Sequence, residues 1–217
     1  YNIEDAHNKV LHFDIQRTKE LIEGWDKDDT YSSGDGLKHI INNKEVDIIS
    51  GGPPCQAYSV AGRIRDMHGM KNDYRNYLFE AYVKIVSYFR PKIIIFENVE
   101  GILSAIPTGE KITDLIRESF NNAGYVIVDD LKKYALIDMS EYGVPQKRKR
   151  VIIIGIRKDT KIDYMPLLHN FYSELLPSKK EKLKTVEDAI KDLPPIYPID
   201  NEGSKRKAYT CLLYTSP

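Results

Sequence analysis

The chain predicts an α/β fold with a largely parallel sheet, and three observations carry that prediction. Four short apolar, β-branched runs recur along it: VDIIS (46–50), KIIIFEN (92–98), YVIVDD (125–130) and RVIIIGIR (150–157). Two segments between them repeat apolar residues at intervals of three and four, the spacing of one helix face. Strand and helix signals alternate, the order that builds parallel strands joined by crossover helices.

Each apolar run is continuous rather than alternating, which suits a strand covered on both faces. RNYLFEAYVKIVSYFR (75–90) aligns Leu78, Tyr82, Ile85, Val86 and Phe89 as a helix face, and Pro91 ends it. EKITDLIRESFNNAG (110–124) does the same with Ile112, Leu115, Ile116 and Phe120, stopping at Gly124. In YVIVDDLKKYALID (125–138) two strand-like pieces stand too close for a helix between them, so an antiparallel excursion or edge hairpin is expected. After Arg157 the chain turns rich in Pro, Lys and polar residues, with one short helix predicted at TVEDAIKDL (185–193). The expected division is a catalytic part over 1–157, its sheet incomplete at both ends, and a connection over 158–217. The final CLLYTSP stands apart in pattern, and no internal repeat is visible.

Composition narrows the class. Of 217 residues, 41% are hydrophobic and 29% charged, the balance of a soluble globular protein. No apolar run nears the roughly 20 residues that span a bilayer, and YNIEDAHNKV lacks the basic-then-apolar pattern of a signal peptide. With 32 basic and 32 acidic residues the net charge is zero, so nucleic-acid binding must rest on local patches. Two cysteines, Cys55 and Cys211, make neither a disulfide framework nor a four-ligand metal site; a reducing cytoplasmic setting is expected.

Cys55 sits in IISGGPPCQAYS (48–59), directly after a predicted strand. In open α/β sheets ligands bind just beyond the carboxyl ends of the strands. Glycines let backbone turn tightly there, and prolines fix φ, so a side chain on this turn is held in place. A free cysteine is ordinarily a small buried hydrophobe inside a strand or helix. A Gly-Gly-Pro-Pro turn is the wrong context for that role and the right one for a placed nucleophile.

GGPPCQAYSVAGR (51–63) resembles the nucleophile motif of the DNA (cytosine-5) methyltransferases, Pro-Cys-Gln followed by an aromatic and Ser. Three further blocks are similar to that family's and stand in its order. They are DYRNYLF (73–79), FENVEG (96–101) and YGVPQKRKRVIIIG (142–155). The resemblance runs from about residue 30 to about residue 200. It implies a Rossmann-like fold dependent on S-adenosylmethionine and methyl transfer to cytosine carbon 5 through a covalent cysteine adduct. That chemistry asks for a thiol, a carboxyl and an arginine on one base, and Cys55, Glu97 and Arg148 or Arg150 are available. Glu97 ends an apolar strand, where burial would keep its carboxyl able to donate a proton. Asn98 braces the turn by resemblance.

QKRKR (146–150) taken alone reads as a solvated basic turn. In a strand, however, Arg148 and Arg150 would face one side and Lys147 and Lys149 the other. By resemblance Arg150 meets the cytosine carbonyl, Arg148 lies near the cysteine or the backbone, and Gln146 stabilises the loops. The lysines are candidates for phosphate contact. The base must be flipped from the duplex; residues 57–76 form a polar stretch suited to closing over it, with Ser59 and Arg63 as contact candidates.

For the methyl donor, the resemblance assigns Asp35 in SSGDGL (32–37), with Pro54 and Leu78 lining the pocket. The family's Phe-x-Gly-x-Gly loop is absent, so this chain alone is expected to bind donor weakly and to be inactive. The implied partner is double-stranded DNA, with room for a cognate restriction endonuclease acting on the same site. No membrane association is expected, and the protein is expected to act as a monomer. Two rivals share the motifs: a transfer RNA cytosine-5 methyltransferase and a catalytically inactive nucleic-acid-binding relative. An unrelated thiol hydrolase would want a His beside the cysteine, and none of the five histidines stands in such a motif.

Overall fold

The computed structural model describes residues 10–53, 77–106, 110–159, 162–194, 197–199 and 208–210. In chain order come helices α1 (Thr18–Glu23) and α2 (Gly36–Ile41), strand β1 (Ile48–Gly51), helix α3 (Tyr77–Phe89) and strand β2 (Ile93–Val99). Helix α4 (Ile112–Asn122), strand β3 (Tyr125–Val126), the single turn α5 (Leu131–Tyr134) and strands β4 (Leu136–Asp138) and β5 (Lys149–Arg157) follow. Helix α6 (Tyr164–Asn170) then runs into a π-helical turn, Phe171–Leu175. Last are α7 (Val186–Ile190), β6 (Tyr197–Ile199) and β7 (Ala208–Thr210). Among the described residues no helix is long and apolar enough to cross a membrane.

These elements form two compact units. One holds the described residues up to Ile137 together with Lys149–Lys179; the other holds Asp138–Arg148 and those from Lys180 onward. In the second unit β6 pairs antiparallel with β7, and Thr185 with Asp188 closes a capping box on α7. Its two stretches are tied where the Glu181 N–H donates to the Glu141 carbonyl (2.8 Å) and Lys180 pairs with the Glu141 carboxylate (2.7 Å).

The first unit is built on a sheet of order β1-β2-β5-β3, with β4 also pairing with β5. Strands β1 and β2 are parallel, and β5 is antiparallel to both β2 and β3. So β1, β2 and β3 run one way, with β5 reversed between β2 and β3. The α/β class is therefore as the alternating pattern predicts, and the sheet is mixed. The expected edge hairpin takes another form, because α5 does fit between β3 and β4. The Asp130 carboxylate accepts the Lys133 N–H (2.9 Å), and that cap lets four residues close one turn.

Helix α3 ends where Arg90 takes a left-handed φ of 46° and Pro91 follows. Its Tyr82 and Val86 pack with Ile116 and Phe120 of α4 against one sheet face, burying Ile94, Phe96, Val151 and Ile153. The rings of Phe79, Tyr82, Phe96 and Phe120 meet at tilted or edge-on angles with centroids 5.6–6.2 Å apart. The opposite face, with Ile93, Ile95, Glu97, Arg150, Ile152 and Ile154, is only half-buried. The continuous apolar runs predict full cover on both faces, and this face lacks it. Residues after Arg157 begin with core structure: Leu168 and Tyr172 are buried, and the Tyr172 hydroxyl accepts the Ile154 N–H (2.9 Å) while donating to the Ile152 carbonyl (2.8 Å).

Candidate active site

Pairing register decides which side chains meet at the carboxyl ends of β1 and β2. Glu97 lies opposite Ile152, and Arg150 lies opposite Val99, so Glu97 and Arg150 are diagonal neighbours on one face. Arg150 Nε stands 2.8 Å from Glu97 Oε1, and Arg150 Nη1 donates to the Lys149 carbonyl (2.8 Å). Arg150 is the more covered partner, with 19% of its side chain exposed against 42% for Glu97. The burial expected for Glu97 is therefore partial, because its face of the sheet is only half-covered and Arg150 shares the space.

The glycines before Cys55 answer to opposite faces. In the parallel register Gly51 sits beside Phe96 on the helix-covered face, and a Cβ there would lie 2.6 Å from the Tyr82 ring. Gly52, on the other face, leaves room for Glu97; a Cβ would stand 2.8 Å from Oε2. Asn98 is buried and its side-chain amide donates to the Pro53 carbonyl (3.3 Å), while its Oδ1 accepts the Val99 N–H (2.9 Å). Strand end, turn and carboxylate are thus interlocked three residues before Cys55. Cys55 itself, with Pro54, Ser59 and Arg63, lies outside the described residues.

Arg148, Gln146 and Lys147 belong to the second unit and are exposed, the Arg148 carbonyl accepting the Met139 N–H (2.8 Å). The strand alternation expected over 147–150 begins only at Lys149, the exposed first residue of β5. Leu78 is buried in the first turn of α3.

On the donor side, Asp35 precedes α2 with 78% of its side chain exposed, 3.7 Å from His39. It borders a cavity of about 690 Å³ lined also by Glu23, Trp25, Lys38 and His39. Glu23 accepts from Lys38 (2.9 Å) and from the Tyr88 hydroxyl (3.1 Å), and the Lys38 ammonium foremost holds its carboxyl below the ordinary range. Trp25 stacks on Phe13 at 4.0 Å and its ring lies where a Cβ on Gly34 would fall. Glu23 and Trp25 were not singled out from the sequence. The available signal was a lone tryptophan, flanked by Gly24 and Asp26, in an otherwise polar stretch.

Residues 17–214 match the C-5 cytosine-specific DNA methylase family. The chain is 40% identical over 181 residues to the type II methyltransferase M.Bpa9945I of Bacillus paralicheniformis, covering 79% of this chain and 39% of that protein. It is 35% identical over 189 residues to M.DdeI of Desulfomicrobium norvegicum, covering 79% and 41%. The chain thus spans about two fifths of these relatives' length. Among solved structures, a DNA modification methyltransferase encoded within an E. coli prophage is 26% identical, with a TM-score of 0.49, covering 77% of this chain and 44% of that one.

Proposed function

The chain belongs to the C-5 cytosine-specific DNA methylase family, and on that premise we propose that its polypeptide methylates carbon 5 of a cytosine flipped out of double-stranded DNA. The observation that carries the reading is the Glu97–Arg150 pair on one sheet face, beside Gly52, which precedes Cys55 by three residues in the chain.

Carbon 5 of cytosine is a poor nucleophile, so the ring must first be activated. The Cys55 thiolate bonds to carbon 6, and the displaced π electrons make carbon 5 nucleophilic. Glu97 holds a proton at ring nitrogen 3, and Arg150 stabilises the carbonyl at carbon 2 as negative charge grows. A carboxyl and a guanidinium already paired on a strand face need little rearrangement to engage two adjacent polar atoms of one base. Once carbon 5 carries the new methyl group, its proton passes to solvent water, the ring double bond re-forms, and the carbon 6–sulfur bond breaks with its electron pair on the Cys55 thiolate.

S-adenosylmethionine, when bound, supplies the electrophilic methyl group. The Asp35 cavity fits its chemistry: carboxylates of Asp35 and Glu23 suit amino and hydroxyl groups, and the Trp25 indole offers an aromatic surface. Family resemblance adds Pro54 and Leu78 to the donor site, although Leu78, buried in the first turn of α3, does not line the Asp35 cavity. Arg148 supports the cysteine or the backbone, Gln146 stabilises the loops, and Lys147, Lys149, Ser59 and Arg63 meet phosphates or the extruded nucleotide. Residues 1–157 supply the reacting groups of this reading, and the chain beyond them opens with core structure at Leu168 and Tyr172. The reading includes a cytoplasmic setting, action as a monomer and room for a restriction endonuclease sharing the site.

The test is an oligonucleotide carrying 5-fluorocytosine, given with S-adenosylmethionine to the complete polypeptide. A denaturant-resistant adduct through Cys55 is expected, and Cys55→Ser should abolish both the adduct and methyl transfer without unfolding the protein. A Cys55→Ser variant that turns over like the wild type removes Cys55 from the mechanism.

A further inference from the structure

The strands that lead to Cys55 and to Glu97 are joined by more than their ladder. Tyr82 of α3 is 4% exposed, and its hydroxyl lies 3.1 Å from the Ile49 carbonyl and 3.2 Å from the Ile95 carbonyl. Ile49 precedes Gly51 by two residues on β1, and Ile95 precedes Glu97 by two residues on β2. The ring of the same tyrosine fills the space over Gly51 and packs on Phe96, which pairs in register with Gly51. One side chain therefore reaches both strands just before the residues that deliver the site.

Resting on the methyltransferase reading above, we propose that Tyr82 is a positioning residue for this chemistry: its buried hydroxyl ties Ile49 of β1, the strand that leads to Cys55, to Ile95 of β2, two residues before Glu97. Burial pushes the Tyr82 phenol well above its ordinary value, so the hydroxyl stays a donor at any working pH. A phenol shared between two carbonyls resists both sliding and splaying of the strand ends. A shift of about 1 Å between reacting groups is enough to lose large factors in rate.

Tyr125 supplies a matched control. Its phenol is 1% exposed and donates to the Pro91 carbonyl (2.6 Å) at the opposite, amino end of β2, away from Glu97. Tyr82→Phe and Tyr125→Phe each remove one buried phenol hydroxyl and keep the ring, the first from two backbone carbonyls and the second from one.

In the complete polypeptide, Tyr82→Phe should lower kcat for methyl transfer and the rate of 5-fluorocytosine adduct formation about tenfold, with KM for DNA within about twofold. Tyr125→Phe should leave all three within about twofold. In nitrogen-15 NMR, the Arg150 Nε–H resonance should move in Tyr82→Phe and stay in place in Tyr125→Phe. That arm stands without activity, so a wild type that transfers no methyl group would sink the site reading while Tyr82 was still judged. Wild-type kcat and an unmoved Arg150 resonance in Tyr82→Phe overturn the proposal, as do equal changes in Tyr125→Phe. Should Tyr82→Phe fail to fold, the Tyr82 hydroxyl proton of the wild type decides: slow exchange with water is expected, and fast exchange overturns the proposal.

Discussion

Gly51 and Gly52 are adjacent, yet they answer to opposite faces of one sheet. Gly51 leaves space for the Tyr82 ring in a closed aromatic core; Gly52 leaves space for the Glu97 carboxylate on a half-covered face. The first face holds the fold together through buried rings and branched chains. The second carries a carboxylate, a guanidinium and little cover. Candidate catalytic groups and packing groups are separated here by the period of two along a strand rather than by distance along the chain. Losing the polar Glu97 side chain from the open face should therefore affect stability less than losing a buried ring from the closed one.

The largest expected effect lies on the open face. Glu97→Gln in the complete polypeptide should cut methyl transfer by about 10²- to 10⁴-fold, while thermal unfolding shifts by no more than about 1 kcal/mol, because the carboxylate is 42% exposed. A core that melts with this change would break the division between the faces. Next comes the glycine pair. Gly51→Ala should destabilise the fold by about 1–3 kcal/mol in chemical denaturation, since its methyl meets a ring that has nowhere to go. Gly52→Ala meets only the far end of a flexible side chain, so it should cost about 0.5 kcal/mol or less and still slow transfer by moving Glu97. Equal destabilisation by the two would count against the comparison.

Alkaline pH sharpens it further. Burial pushes both the Tyr125 and the Tyr172 phenols up to about 12 from an ordinary value of 10.0. A phenol raised in the folded state contributes stability that is complete below pH 10.0 and is lost as pH rises through about 12. Melting temperature should therefore be insensitive to these groups up to pH 10 and fall beyond it. Tyr172→Phe should flatten that fall. The smallest effect is expected at Asp35, which is largely exposed before α2: Asp35→Ala should weaken donor binding by about tenfold in calorimetry, with no measurable change in stability.

Much of this was legible in the residues. Leu78, Tyr82, Ile85 and Val86 announced a buried helix face by their spacing, and Pro91 announced its end. IIIFEN and VIIIGIR announced strands, and the Gly-Gly-Pro-Pro run singled out Cys55, which lies outside the described residues. Glu97 stood out as a carboxyl at the end of an apolar run. Other features were not legible. Four residues between two strand-like pieces looked too few for a helix, and only the Asp130 cap makes α5 possible. Arg148 and Arg150 looked equivalent by alternation, but β5 starts at Lys149, so only Arg150 has a strand neighbour to hold it against Glu97.

Periodicity along the chain determined the α/β class and the helix faces, and the resemblance of its motifs to a known family named the candidate site residues. Tertiary structure alone decided that β5 runs backwards beside β2, that its register sets Arg150 diagonal to Glu97, and that one sheet face stays half-open. Register depends on pairing between segments some fifty residues apart, and no local pattern records which residue will stand opposite which.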